Sequence, residues 1–103
     1  MNTTLIKQLV AEANNIDAQN EILMEKNRLA RLAEMSKNIE ETIGYLDSCT
    51  IDELLWATEV LEDLAQQFKS QELISCVERN MCKCSDEEKA QLGMTLCYMK
   101  KHM

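Results

Sequence analysis

The sequence predicts an all-α fold, and three observations carry that expectation. The chain has two glycines and no proline, which leaves little material for hairpin turns. Hydrophobic residues make up 46% of it, yet only Tyr45, Trp56, Phe68 and Tyr98 are aromatic. The core must therefore be built from Leu, Ile, Met and Ala, a palette that suits helices better than sheets. Finally, the first 43 residues contain neither glycine nor proline, and their apolar positions recur at helical spacing. A chain of 103 residues supports one domain with a single modest core.

The first element is expected over 3–46, as one long helix. Ile6, Leu9, Ala13, Ile16, Asn20, Leu23, Asn27 and Ala30 step by alternating threes and fours, the spacing of a helix paired with another helix. Asn20 and Asn27 would lie in that seam, where a buried polar residue fixes register and partner number. Beyond Ala30 the stripe swings to Leu32, Met35, Ile39, Ile43 and Leu46. At about 100° per residue the two stripes are centred roughly a third of a turn apart. The second half would pack on its own chain, and the first would serve as a coiled-coil dimerisation arm. The alternative is a break near Asn14 to Asp17, because short polar side chains compete for backbone hydrogen bonds. That break would give a compact bundle with Asn20 and Asn27 exposed.

Three shorter helices are expected at 51–69, 72–83 and 86–101. Thr50-Ile51-Asp52-Glu53 reads as a capping box, and Asp52 and Glu53 complement the positive helix terminus. Leu54, Ala57, Leu61, Leu64, Ala65 and Phe68 form one face of that helix. Leu73, Val77 and Met81 share a different azimuth, which implies a bend near Lys69 to Gln71. Ser85-Asp86-Glu87-Glu88 is a second capping box, and Lys100, Lys101 and His102 suit the helix end. In that last helix Ala90, Gly93, Met94 and Cys97 oppose Leu92, Leu96 and Met99, so it should be covered on both sides.

Charge narrows the function classes. The net charge is −7, and no segment gathers the Lys/Arg cluster that phosphate neutralisation requires. The same distribution argues against direct nucleic-acid binding and against an anionic membrane surface. The beginning of the chain lacks a secretory pattern, and five cysteines in such a chain point to a reducing, cytoplasmic setting with free thiols.

The cysteines are the best candidates for chemistry. Cys76, Cys82, Cys84 and Cys97 fall close together, with His102 behind them, and four thiolates can hold zinc. Zinc modules, however, supply two closely spaced pairs on tight turns, and here only Cys82-Lys83-Cys84 is close. Buried thiols are the simpler reading. Lys83 and a following helix N-terminus would lower the pKa of Cys82 and Cys84, which leaves a redox- or metal-responsive regulator as a third reading. No cofactor is expected. His102 is the sole histidine and is near the end of the sequence. It leaves no base for a nucleophile, and neither a phosphate-cradling glycine loop nor a Glu-x-x-His pair is present.

The remaining reading is a non-enzymatic interaction module, homodimeric through the N-terminal seam. Asp52, Trp56, Glu59, Val60 and Asp63 share a side of the second helix away from its core stripe. An exposed Trp rimmed by acids suits a basic protein partner; alternatively, Trp56 is covered by a later helix. A second reading is an acidic inhibitor of the mobile-element type, blocking a basic nucleic-acid-binding enzyme by charge mimicry.

Overall fold

Each helix of this chain is started by a side chain of its own. The computed structural model describes residues 1–102, and its helices are α1 (Thr3–Asn15), α2 (Glu21–Met35), α3 (Ile39–Ser48), α4 (Ile51–Phe68), α5 (Gln71–Asn80) and α6 (Asp86–Lys100), with a 3-10 turn at Met81–Lys83. Asn2, Asn20, Asn38, Thr50, Ser70 and Ser85 each accept a hydrogen bond from the backbone N–H three residues on. One otherwise orphaned donor is thereby satisfied at every start. No strand occurs among the described residues.

The long N-terminal helix is not formed, and there is no coiled-coil arm. Residues 3–46 hold α1, α2 and most of α3. α1 stops where Ile16 turns extended, and the Asp17 side chain takes the N–H of Gln19 at 2.9 Å. Asn20 then caps α2. A second stop follows Met35, where the Ser36 hydroxyl bonds back to the Leu32 carbonyl at 2.6 Å and Asn38 opens α3. The threes-and-fours stripe exists, but it is folded back on its own chain. Asn2 N–H donates to Glu34 Oε1 at 2.6 Å, and Asn27 Nδ2 donates to the Leu9 carbonyl at 2.8 Å. These pairings run in opposite directions along the chain, so α1 and α2 form an antiparallel hairpin.

Helix α4 is the centre of the packing. Leu54, Val60, Leu61 and Leu64 are essentially without exposed surface, and they meet Leu73, Ile74 and Val77 of α5 and Leu92, Leu96 and Met99 of α6. Tyr45 and Leu46 of α3 close that core, together with Ile6 and Met35 from the base of the hairpin. Truncating any one of these leucines to alanine costs about 2–5 kcal/mol, because the cavity fills only in part. Between α4 and α5 the chain turns at Lys69, whose φ of 47° lies in the left-handed region, and its N–H bonds to the Ala65 carbonyl at 2.9 Å. The expected bend there is present.

Helix α6 is covered on one side only. Leu92, Leu96 and Met99 face the core, while Met94, Cys97 and Tyr98 are exposed. Its capping box is complete: Ser85 Oγ accepts from Glu88 N–H at 3.3 Å and Glu88 Oε1 accepts from Ser85 N–H at 2.7 Å. At Thr50 only half a box forms, because the Glu53 carboxylate accepts from the Thr50 hydroxyl at 3.2 Å, Tyr45 Oη at 2.6 Å and Lys7 Nζ at 3.3 Å rather than from the Thr50 N–H.

Candidate functional site

The densest polar arrangement lies where the hairpin meets α4. Arg31 projects from α2 with only 1% of its surface exposed. Its guanidinium is a planar fork of donors, and each side of that fork is used. Nε donates to Asn27 Oδ1 at 2.7 Å, Nη1 donates to the Trp56 carbonyl at 2.8 Å, and Nη2 bonds to the Glu59 carboxylate. The guanidinium also lies 5.3 Å from the centre of the Trp56 ring. One turn earlier on α2, Arg28 Nη1 donates to Asp63 Oδ2 at 2.9 Å. From α1, Asn14 accepts from Trp56 Nε1 at 3.0 Å and donates to Asp52 at 3.0 Å. Among the described residues, no buried side-chain nitrogen or oxygen lacks a partner.

This geometry changes the reading of the acidic face on α4. Val60 is fully buried and cannot touch a partner. Trp56 is half-buried, with Arg31 over its ring and Asn14 on its nitrogen. Asp52, Glu59 and Asp63 lie along α4, where Asn14, Arg31 and Arg28 of the same chain pair with them. Two of these three contacts come from α2.

The seam residues are redistributed. Ile6, Leu9 and Ala13 are buried within the chain, Ile16 is half-buried at the end of α1, and Asn20 is a helix cap. Asn27 is buried, but against Leu9 and Arg31 rather than a second copy. Leu23 is the one large apolar side chain of that set that stays exposed, at 47%. It stands beside two residues outside the stripe, Ile22 at 77% and Leu29 at 50%. Spaced by seven, Ile22 and Leu29 lie on one side of α2, with Lys26 and Ala33 between and beyond them. Their spacing was the available signal, but the denser stripe through Asn20 and Asn27 masked it.

The four cysteines do not assemble. Cys76 and Cys84 are buried, Cys82 and Cys97 are exposed, and no cluster suited to a metal ion occurs among the described residues. The Cys76 thiol points at Asp47, 3.5 Å away, and Asn80 Nδ2 lies 3.6 Å from its sulfur. Burial, with Asp47 beside it, pushes that thiol up to about 11, and burial does the same to Cys49. Burial also raises Cys84, so the expected lowering beside Lys83 does not occur there.

Two further polar sites fasten helices together. Asp47 accepts from Arg79 Nε at 2.9 Å and Asn80 Nδ2 at 2.7 Å, joining α3 to α5. The Arg79 hydrogen bond, supported by Asn80, holds the Asp47 carboxyl down at about 2. Burial and the Glu53 carboxylate push the Tyr45 hydroxyl well above its ordinary value. Burial works to raise Glu53 itself, but hydrogen bonds from Tyr45, Lys7 and Thr50 keep its carboxyl below the usual range. Beside Asp47 runs an open groove of about 500 Å³ lined by Glu40, Ile43, Gln71, Glu72, Ser75 and Arg79. Its lining holds neither a histidine nor a cysteine.

No protein-family model, curated protein or solved structure matches the chain. No helix among the described residues is long and apolar enough to cross a membrane.

Proposed function

We propose that the protein is a non-enzymatic helical interaction module that acts by docking another protein along the outer side of α2. One observation carries this reading: three large apolar side chains of α2 stand in water, Ile22 and Leu29 on the face turned away from its own core and Leu23 at the edge of its buried side. A chain gains from covering such a ridge of exposed apolar side chains. Anchors at i and i+7 on a helix fit an apolar groove on a partner, the helix-in-groove mode of recognition. The ridge is one short helix, so the interface it supports is below the standard size and suits a transient encounter.

The charge-mimic alternative rests on the net charge of −7, and Arg28 and Arg31 offset Asp63 and Glu59 on the acidic side of α4. The redox reading retains only scattered thiols.

The test is affinity purification from the native host with the wild-type chain and with an Ile22→Glu/Leu29→Glu variant. Both positions are exposed, so the variant should keep its melting temperature. Loss of the captured protein with an unchanged fold supports docking through α2. Recovery of the same partners by both chains removes α2 from the proposal.

A further inference from the structure

We infer that the free end of the α1–α2 hairpin, Leu9 to Arg31, opens from α4 as one cooperative unit while the rest of the fold stays closed. This goes beyond the docking reading and does not depend on what covers α2.

The interior of that end is separate from the main core. Leu9, Val10 and Ala13 are buried, yet the continuous core cluster draws from the hairpin only on Ile6, Met35 and the half-buried Leu32, all toward its base. Apolar contacts therefore hold the base, and the end beyond them is held differently. Its links to α4 are the polar ones described above: Arg28 to Asp63, Arg31 to Glu59 and the Trp56 carbonyl, and Asn14 to Asp52 and the Trp56 nitrogen.

Such links resist opening less than their number implies. Asp63 is 44% exposed, so water and salt screen its pair with Arg28, and Glu59, 37% exposed, leaves the pair with buried Arg31 open to solvent on the carboxylate side only. Arg31 regains full hydration on opening, which offsets much of the loss of its ion pair. The apolar ridge on the outer side gains no burial from the closed state. Segments with few buried apolar neighbours are the ones that open below the global unfolding free energy. Asn27 couples the two helices, since it touches Leu9 and Arg31 together, so α1 and α2 open in concert. Opening uncovers Trp56, Glu59 and Asp63, which makes the hairpin end a lid over the acidic side of α4.

Amide exchange on the full-length chain, at low and high salt, tests this. The amides of 11–29 should share one opening rate, roughly a hundredfold faster than those at the centre of α4. That rate should rise about tenfold with salt, while α5 and α6 stay unchanged. A Glu59→Gln/Asp63→Asn variant, mild because both side chains are part-exposed, should accelerate the same amides by about tenfold or more and leave α6 alone. Exchange of 11–29 in step with α4 and α6, or separate rates for α1 and α2, would overturn the inference. So would a variant that speeds every helix equally.

Discussion

Asn27 and Arg31, one turn apart on α2, work as a single bridge: the amide of Asn27 holds the Leu9 carbonyl while its oxygen receives the Arg31 Nε. The bridge orients the guanidinium before it reaches α4. A buried charge of this kind is tolerated because its donors have partners and an aromatic ring faces it.

Replacing Arg31 with alanine should destabilise the protein by about 2–4 kcal/mol, combining a cavity with orphaned acceptors on Asn27 and Trp56. Arg31→Lys should recover only part of this, since an ammonium cannot fill three divergent positions. Urea denaturation of the three proteins gives the comparison. Equal midpoints for wild type and Arg31→Ala would contradict the assignment.

Asn27→Leu distinguishes this bridge from an intermolecular seam. In a coiled coil the exchange raises stability. Here it strips the Arg31 Nε of its acceptor and should cost about 1–3 kcal/mol. Asn20→Ala should cost about 1 kcal/mol through the lost cap. A rise in melting temperature for Asn27→Leu would restore the seam.

Acid should weaken the α3–α5 junction through Asp47. Its carboxyl titrates at about 2 in the fold against an ordinary 3.8, held down by Arg79. The stabilisation is therefore complete above the ordinary value and is lost as pH falls through the folded one. Asp47→Asn should be less stable than wild type at neutral pH, and the gap should close between about pH 4 and pH 2. Asp47 is 36% exposed, so screening keeps the gap modest. A gap independent of pH would place the contribution elsewhere.

Thiol labelling should divide the cysteines by burial. Cys82 and Cys97 are exposed and should react promptly with an alkylating reagent near neutral pH. Cys76 and Cys84 are buried and Cys49 half-buried, with thiols raised by burial, and they should react only on unfolding. Mass spectrometry of the native protein would then show two adducts. Rapid modification of Cys76 would mean that α3 and α5 separate readily.

How much of this was legible in the sequence depended on how local each signal was. Thr50 and Ser85 announced helix starts within four residues, and both starts are where the capping patterns placed them. The break after α1 is written in Asn14, Asn15 and Asp17, but the spacing places Asn20 in a seam, or simply exposed after a break, and does not announce that it caps α2. Threes-and-fours spacing records that a helix has a partner and does not say whether the partner is a copy or the next segment. The bridge through Arg31 was illegible for a different reason. An arginine on a helix ordinarily reads as solvated, and only the antiparallel return of α2 across α4 carries Arg31 inside. The same return turned the acidic side of α4 from an open face into a covered one.

The six side-chain caps, in a chain without proline, also bear on kinetics. Each helix boundary is encoded by its own neighbours, so the nascent segments are delimited before any tertiary packing forms. With no prolyl bond to isomerise, the refolding chain lacks the usual source of a phase lasting tens of seconds. Speed is then set by how quickly the central helix gathers its neighbours, a search among short, pre-punctuated rods.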